Sequence, residues 1–412
     1  MYNKTPSDTQ LIIKGKFSYE WAYKNMLILD KIGANHERSM PLAGYKVAFC
    51  LHITKETSVL AKTVKRLGAE IAVCSANPLS VQEDIAAFLS SEGINTFAWR
   101  EETTEEYRDC IRQVLKFRPH ILTDDGAELH IEAHKNKTRN ILGGTEETTS
   151  GVRRVKSLES RKQLKYPIIT VNEAHTKYMF DNRYGTGQST IDGILRTTGI
   201  FMPGKHVVVC GYGWVGKGVS SRARGMGALV TVTEVDPVKA LEASMDGYSV
   251  KRLSDVADNG DIFLTCTGQK HVIREEHITK MKNGAILANA GHFDVEIDTR
   301  YIYSQGKKPL EVRPNVEEIS LFGRKIYLIS KGRVINLTGA EGHPPEVMAL
   351  SFANQLLSII FISKNYRKMK KKTYPVPKDI DLSVAEYAVR ALDLRIDTLT
   401  NEQLSYNEES DQ

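Results

Sequence analysis

None of the five cysteines in this 412-residue sequence stands in a C-x-x-C pair. Cys50, Cys74, Cys110, Cys210 and Cys266 are scattered through apolar stretches, and their odd number suits a reducing compartment without disulfides or a thiolate metal site. Long apolar runs are missing too. The greasiest segment, Leu356 to Ile362, is far too short to span a bilayer, and the N-terminal MYNKTPSDTQ lacks the apolar core of a secretory leader. The expectation is a cytoplasmic protein with no membrane partner. Charge of one sign is also scarce: 56 basic against 50 acidic residues leave a formal +6, which does not call for nucleic acid. The basic run Lys364 to Lys372 reads as a solvated tail or an oligomer contact. No internal repeat, low-complexity tract or metal-ligand cluster stands out, so no metal is expected.

What is present begins with Gly204 to Asp236, read as strand, glycine turn, helix and second strand. His206 to Cys210 is a nearly continuous apolar run, as in a parallel strand buried on both faces. Gly211, Gly213 and Gly216 fill the G-x-G-x-x-G positions, and a helix opening at Trp214 and Val215 would aim its N–H groups at a pyrophosphate. Glu234 ends the second strand where an acid can bind a ribose diol and repel a 2'-phosphate, which indicates NAD rather than NADP.

A second α/β pattern precedes this unit. Strands are expected at Tyr45–Leu51, Glu70–Cys74, Thr96–Trp99, His120–Thr123, Arg139–Gly143 and Pro167–Val171, with a helix over Glu56–Leu67. Ligands of such sheets bind beyond the carboxyl ends of the strands. The residues there are His52, Thr54, Glu56 and Thr57; Ser75 and Asn77; Asp124 and Asp125; Glu146, Glu147, Thr148 and Thr149; Asn172 and Glu173. Together they outline a polar cleft. Lys177 and Asp181 share a helix face, and Gly185 and Gly187 read as a hinge or a turn. Later strands end at Thr267-Gly268 and at Asn289-Ala290-Gly291-His292, and an apolar-faced helix is expected over Val347–Ile362.

These stretches, above all LHITKETSVL, SANPLSVQED, DDGAEL, GGTEETTSGV, VNEAHTKYMFDNRYGTGQST, GYGWVGKG, TEVDP, NAGHFDVEI and INLTGAEGHPPEVM, resemble the S-adenosylhomocysteine hydrolases over essentially the whole chain. The likeness is to the archaeal and thermophilic bacterial branch. It implies an α/β fold of two doubly wound, Rossmann-like parallel-sheet domains joined by a hinge, plus a helical C-terminal extension. Residues 1–184, completed by a helix over 345–365, would form the substrate domain, 185–344 the NAD domain, and 366–412 the extension.

The resemblance also implies residue roles. Lys177 and Asp181 resemble the pair that handles the 3'-hydroxyl proton, Asp125 the group at the C4' proton, and His52 and His292 the histidines near the 5' leaving group and incoming water; Glu147 completes the catalytic set. Thr54, Glu56, Thr57, Asn77, Glu341, His343 and Met348 match substrate positions. Thr148, Thr149, Ser150, Asn182, Gly211, Gly213, Trp214, Val215, Gly216, Glu234, Thr267, Gly268, Asn289, Gly291, His292 and Asn336 match the NAD site. Glu341 replaces a methionine near the base, which keeps S-inosylhomocysteine open as the substrate beside S-adenosylhomocysteine. A non-catalytic nucleotide-binding paralogue is the remaining alternative. Tetramers are usual in that family, so the resemblance implies a homotetramer or homodimer, and the end SYNEESDQ lacks the tail that many members lend to a neighbour's NAD site.

Overall fold

The computed structural model describes residues 9–409, so the first eight residues, on which the leader reading rests, and the last three of the SYNEESDQ end lie outside it. Two sheets organise the chain. The first contains β1 (Lys46–Leu51), β2 (Glu70–Ser75), β3 (Asn95–Phe97), β4 (Ile121–Asp124), β5 (Gly143–Glu146) and β6 (Ile168–Thr170). The second contains β7 (His206–Cys210), β8 (Leu229–Thr233), β9 (Ser249–Val250), β10 (Ile262–Thr265), β11 (Ala285–Asn289), β12 (Leu310–Arg313), β13 (Val316–Leu321) and β14 (Arg324–Ile329). A late strand, β15 (Thr373–Pro375), returns to pair with β6.

Strand order in the first sheet is β15-β6-β5-β4-β1-β2-β3, all parallel. Alternation along β1 shows why its sequence is apolar from Val47 onward. Val47, Phe49 and Leu51 enter one core, while Ala48 and Cys50 enter the core on the opposite face. The second sheet runs β12-β13-β14-β11-β10-β7-β8-β9. It is mixed rather than wholly parallel as expected, because β12, β13 and β14 form an antiparallel meander on its edge. That edge is joined by short turns and needs no crossover helix.

β5 differs from its expected position. The expected strand was Arg139–Gly143, but the paired residues are Gly143–Glu146. Glycine is a poor strand former, so local propensity does not mark this stretch. Close packing explains it: a Cβ on Gly143 would come within 2.8 Å of Ile362, and one on Gly144 within 2.4 Å of the His130 ring. Asp124 and Glu146, expected in loops, are therefore the last residues of β4 and β5 and are fully buried.

The helix expected at Val347–Ile362 spans Pro345–Asn365. By length and hydropathy it could cross a membrane, contrary to the reading of its greasiest part, but 72% of its apolar window is buried in protein. Ala349, Phe352, Ala353, Leu356 and Ile359 join the core of the first sheet. This is the central helix of a packed layer, so its apolarity reflects burial.

Gly185 and Gly187 occupy helical backbone, not an open turn. Asp181–Gly185 forms one wide π-helical turn that leads into the helix Thr186–Thr198. Their missing side chains matter for contact: a Cβ on Gly187 would lie 2.6 Å from the Gly218 backbone, and one on Gly218 1.8 Å from the Arg183 carbonyl. The helix Trp214–Gly225 thereby seats directly on the segment that carries Asp181 and Asn182.

Candidate active site

The carboxyl ends of β1, β4, β5, β7, β10 and β11 open into one cleft of about 1070 Å³. That volume is at the upper end for a small-molecule site, leaving room for a dinucleotide and a second ligand. His52, Asp125, Glu147, Lys177, Asp181 and His292 all line it. So do Thr54, Glu56, Thr57, His343 and Met348 on the substrate side, and Thr148, Thr149, Ser150, Asn182, Gly211, Gly213, Trp214, Val215, Glu234, Thr267, Gly268, Gly291 and Asn336 on the cofactor side.

Four expected residues do not line the cleft. Asn77 turns its side-chain oxygen to the Leu79 N–H and caps a short turn. Glu341 is drawn outward into ion pairs with Lys55 and Arg196, each at 3.1 Å. Gly216 lies behind the glycine turn, and Asn289 is fully buried, donating to the carbonyls of Gly291, Phe293 and Gly332. The last two shape the walls rather than touching a ligand.

One side of the cleft holds a buried cation between two acids. Lys177 Nζ lies 3.4 Å from Asp181 and 3.6 Å from Glu147, and donates to the side-chain oxygens of Asn172 and Asn182. Burial alone would lower its pKa, but Asp181 and Glu147 outweigh that and raise it, so Lys177 carries its proton at rest. For Glu147 burial prevails and pushes the carboxyl up to about 8, against the pull of Lys177. Asp181 resists its burial: Lys177 and His343 hold it well below the usual carboxylate range. His343 Nδ1 is 3.1 Å from Asp181, which makes Nδ1 the donor and leaves Nε2 to accept from Asn336 and Thr186.

Two residues of this cluster were not singled out from sequence. Ser351 donates to Asp181 and Gln355 donates to Glu147, both from the buried helix Pro345–Asn365. Their four-residue spacing, on one face of an otherwise apolar helix, was the available signal.

Across the cleft, Asp125 stands between two imidazoles. His52 Nε2 is 3.5 Å from one of its oxygens and His292 Nδ1 is 3.8 Å from the other. His52 is oriented by Ser80, whose hydroxyl contacts Nδ1 at 2.6 Å. Burial lowers the His52 pKa to about 4, and lowers that of His292 as well, so both rings are neutral near pH 7. These three side chains bring their ligand atoms within 4.8 Å of one another, a convergence that sequence spacing did not reveal. Neutral imidazoles beside a carboxylate can also accept and deliver protons to a bound molecule.

The depressed His52 pKa has a testable sign. Its folded-state value lies below the ordinary histidine value of about 6.5, so its contribution to stability is present above that pH and is lost as pH falls towards 4. His52→Asn is therefore expected to flatten the decline of melting temperature between roughly pH 6.5 and 4. Parallel melting curves for both proteins across that window would contradict the assignment.

The cofactor half is built from backbone. Gly211 has a left-handed φ of +101°, a conformation that favours glycine, and the Gly213 backbone faces open space. Glu234 accepts the N–H groups of Tyr212, Val235 and Asp236, using three of the roughly four lone-pair sites of a carboxylate and leaving one for a ribose hydroxyl. Asn336 Oδ1 is buried without a partner. Glu296, not foreseen, fixes the opposite wall by accepting from the N–H groups of Thr267 and Gly268. Lys217, also unforeseen, lies over the Trp214 ring. Glycine turn, acid and unpartnered amide oxygen together fit NAD.

Gly216 makes a tight backbone contact in this half. A Cβ there would lie 1.9 Å from the Gly211 carbonyl oxygen, and neither backbone can give way. Gly216→Ala is expected to cost about 1–3 kcal/mol of stability by overpacking and to weaken NAD binding by prising the turn from its helix. Titration calorimetry with NAD and thermal denaturation would check both; unchanged affinity would refute the role.

The family model "S-adenosyl-L-homocysteine hydrolase, NAD binding domain" matches residues 182–342, and the model "S-adenosyl-L-homocysteine hydrolase" matches residues 7–140. The chain is 51% identical to an adenosylhomocysteinase of Sulfurisphaera tokodaii over 97% of each chain. It is 48% identical to an S-inosyl-L-homocysteine hydrolase of Methanocaldococcus jannaschii over 98% of each, and 49% identical to an adenosylhomocysteinase of Aquifex aeolicus over 97% of each.

Proposed function

The chain belongs to the S-adenosyl-L-homocysteine hydrolase family, and from that premise we propose that it reversibly hydrolyses S-adenosyl-L-homocysteine to adenosine and L-homocysteine. One observation carries the reading. Two proton-handling clusters, Lys177–Asp181–Glu147 and His52–Asp125–His292, share a single cleft with a dinucleotide turn.

A C5' thioether leaves poorly, and acid/base catalysis alone supplies only about 10²–10⁴-fold. NAD, when bound, provides reversible oxidation at the ribose 3'-carbon, which acidifies the neighbouring C4' hydrogen. The rest falls to the chain. Lys177 offers its ammonium to the 3'-oxygen, and the adjacent Glu147 and Asp181 can trade the hydroxyl proton with it inside a buried site. Asp125 is the base for C4'. The neutral rings of His52 and His292 flank it, placed to relay the proton that Asp125 takes from C4' to the leaving sulfur and then to take a proton from the incoming water. His343 ties the two halves together, since it holds Asp181 through one nitrogen and Asn336 through the other.

S-inosyl-L-homocysteine is the second reading, favoured by the similarity to the Methanocaldococcus jannaschii enzyme. Glu341 faces Lys55 and Arg196, and Lys55 also lies 3.3 Å from Glu56, which lines the cleft. Any influence of Glu341 on the base would thus pass through Lys55. Incubating the protein and NAD with each thioether separately, while following free homocysteine, decides between them. Thiol from neither substrate would sink both readings.

A homotetramer or homodimer is the proposed assembly. Its support is a C-terminal arm on which Leu392, Leu394, Ile396 and Leu399 are all exposed. Light scattering that gives a monomer would overturn it.

A further inference from the structure

Behind the cleft lie two acids that the reaction does not use. Asp124 and Glu146 end adjacent parallel strands in direct register, and both are fully buried. Asp124 accepts the Asp125 N–H through one oxygen at 3.0 Å and the His130 N–H through the other at 2.8 Å. Glu146 Oε1 accepts from Gly126 at 2.9 Å and Thr148 at 3.1 Å. The Asp124 carbonyl accepts the Glu147 N–H at 2.9 Å. Between them the two residues grip both turns that bear Asp125 and Glu147. Gly126 is also where the opposite half of the molecule abuts: a Cβ on it would meet His292 Nε2 at 2.6 Å.

We propose that Asp124 and Glu146 act as one buried carboxyl pair that retains a proton and whose hydrogen bonds position Asp125, Glu147 and, through Gly126, His292. This deepens the functional reading above and rests on it for the roles of those three residues. The pair itself follows from geometry and charge. Neither carboxyl enters an ion pair among the described residues. Arg154, the cation nearby, spends its guanidinium on Glu128 and the Gly126 carbonyl. The other titratable groups facing the pair are Asp125, Glu128, Cys50, Tyr107 and Tyr166, none of them cationic, and His130, which is neutral because burial lowers its pKa to about 3.

Two buried anions side by side would repel strongly, so the pair retains a proton. The hydrogen-bond pattern locates it. Both Asp124 oxygens already receive backbone N–H groups, whereas Glu146 Oε2 is buried without a partner. The proton therefore sits on Glu146 Oε2. Burial, then Asp124, holds Glu146 well above its ordinary pKa, and burial raises Asp124 to about 7. A metal is a poorer occupant, although the carboxyls and His130 converge. His130 Nε2 faces the Thr145 carbonyl and Nδ1 the Tyr166 hydroxyl, so neither nitrogen is free.

Glutamine imitates a neutral glutamic acid, which makes Glu146→Gln the deciding variant. It is expected to fold and to keep kcat and KM within about threefold of the parent, while Glu146→Ala, which frees the Gly126 and Thr148 N–H groups, loses kcat by up to about a hundredfold. Charge-state readouts separate positioning from mere packing. A carboxyl whose folded pKa is raised contributes stability below the ordinary value of about 4.3 and loses it as pH rises through the raised value. Glu146→Gln should therefore flatten the fall of melting temperature on the alkaline side, and remove a protonated-carboxyl stretch from the infrared spectrum at neutral pH.

Failure of Glu146→Gln to fold, a loss of kcat as deep as in Glu146→Ala, or superimposable infrared and melting profiles would each overturn the proposal. The infrared and melting results need no turnover. Were they to appear in a protein that hydrolyses neither thioether, the functional reading would fall and the carboxyl pair would stand.

Discussion

Lys177→Ala is expected to retain NAD yet lose the reduction of that cofactor by adenosine, with kcat lower by about 10²–10⁴-fold. The residue is 3% exposed and is the one cation within reach of both Asp181 and Glu147 among the described residues. Nothing else in the cluster can offer an N–H to the 3'-oxygen while exchanging a proton with two acids. Its removal also takes the buried cation from Asp181, which keeps His343 and Ser351, and breaking such a buried pair typically costs about 3–5 kcal/mol. The variant should therefore melt earlier, and the decrease should shrink at low pH as the acids protonate. The glycine turn and Glu234 do not touch Lys177, and Asn182, its contact on the cofactor side, is also held by Asn172, so NAD affinity measured by calorimetry should stay close to that of the parent. Normal cofactor reduction in a folded variant would refute the role given to Lys177.

Asp125→Asn is expected to divide the reaction at a later point. Cofactor reduction by substrate should survive, because the Lys177 cluster is intact, while release of homocysteine falls by about 10²–10⁴-fold. Asparagine preserves the shape between His52 and His292 but cannot serve as a base, and its amide presents a donor to one of two rings that now face a carboxylate. Rapid-mixing measurement of the reduced-cofactor absorbance, paired with a thiol assay, separates the two steps. Equal losses in both would show that Asp125 acts before or during the oxidation, contrary to its position in the other cluster.

These two variants fall in residues that were legible from sequence for different reasons. The Gly204–Asp236 unit could be read locally, since a buried strand, a glycine turn and an acid at set distance each answer a local physical demand. Asp125 and Glu147 were visible as polar residues past strand ends, and their specific roles came from resemblance. Ser80, Ser351, Gln355 and Glu296 were not singled out. Each acts on a site residue distant in sequence, as Gln355 does on Glu147 from 208 positions away, and serine or glutamine in a helix has many ordinary explanations. Glu341 failed in the opposite direction. Its chemistry suggested a change at the base, but Lys55 and Arg196 draw it away from the cleft.

The sequence by itself determined the α/β class, the NAD turn, the preference for NAD marked by Glu234, and the family, because these rest on short-range patterns of burial, backbone conformation and charge. Only the tertiary structure decided that β5 begins at a glycine pair, that the apolar helix Pro345–Asn365 is a core element, and that Asp124 and Glu146 lie side by side without a cation. Proton retention and pKa depend on which groups meet in a dry interior, and that meeting is fixed by packing between segments far apart in the chain.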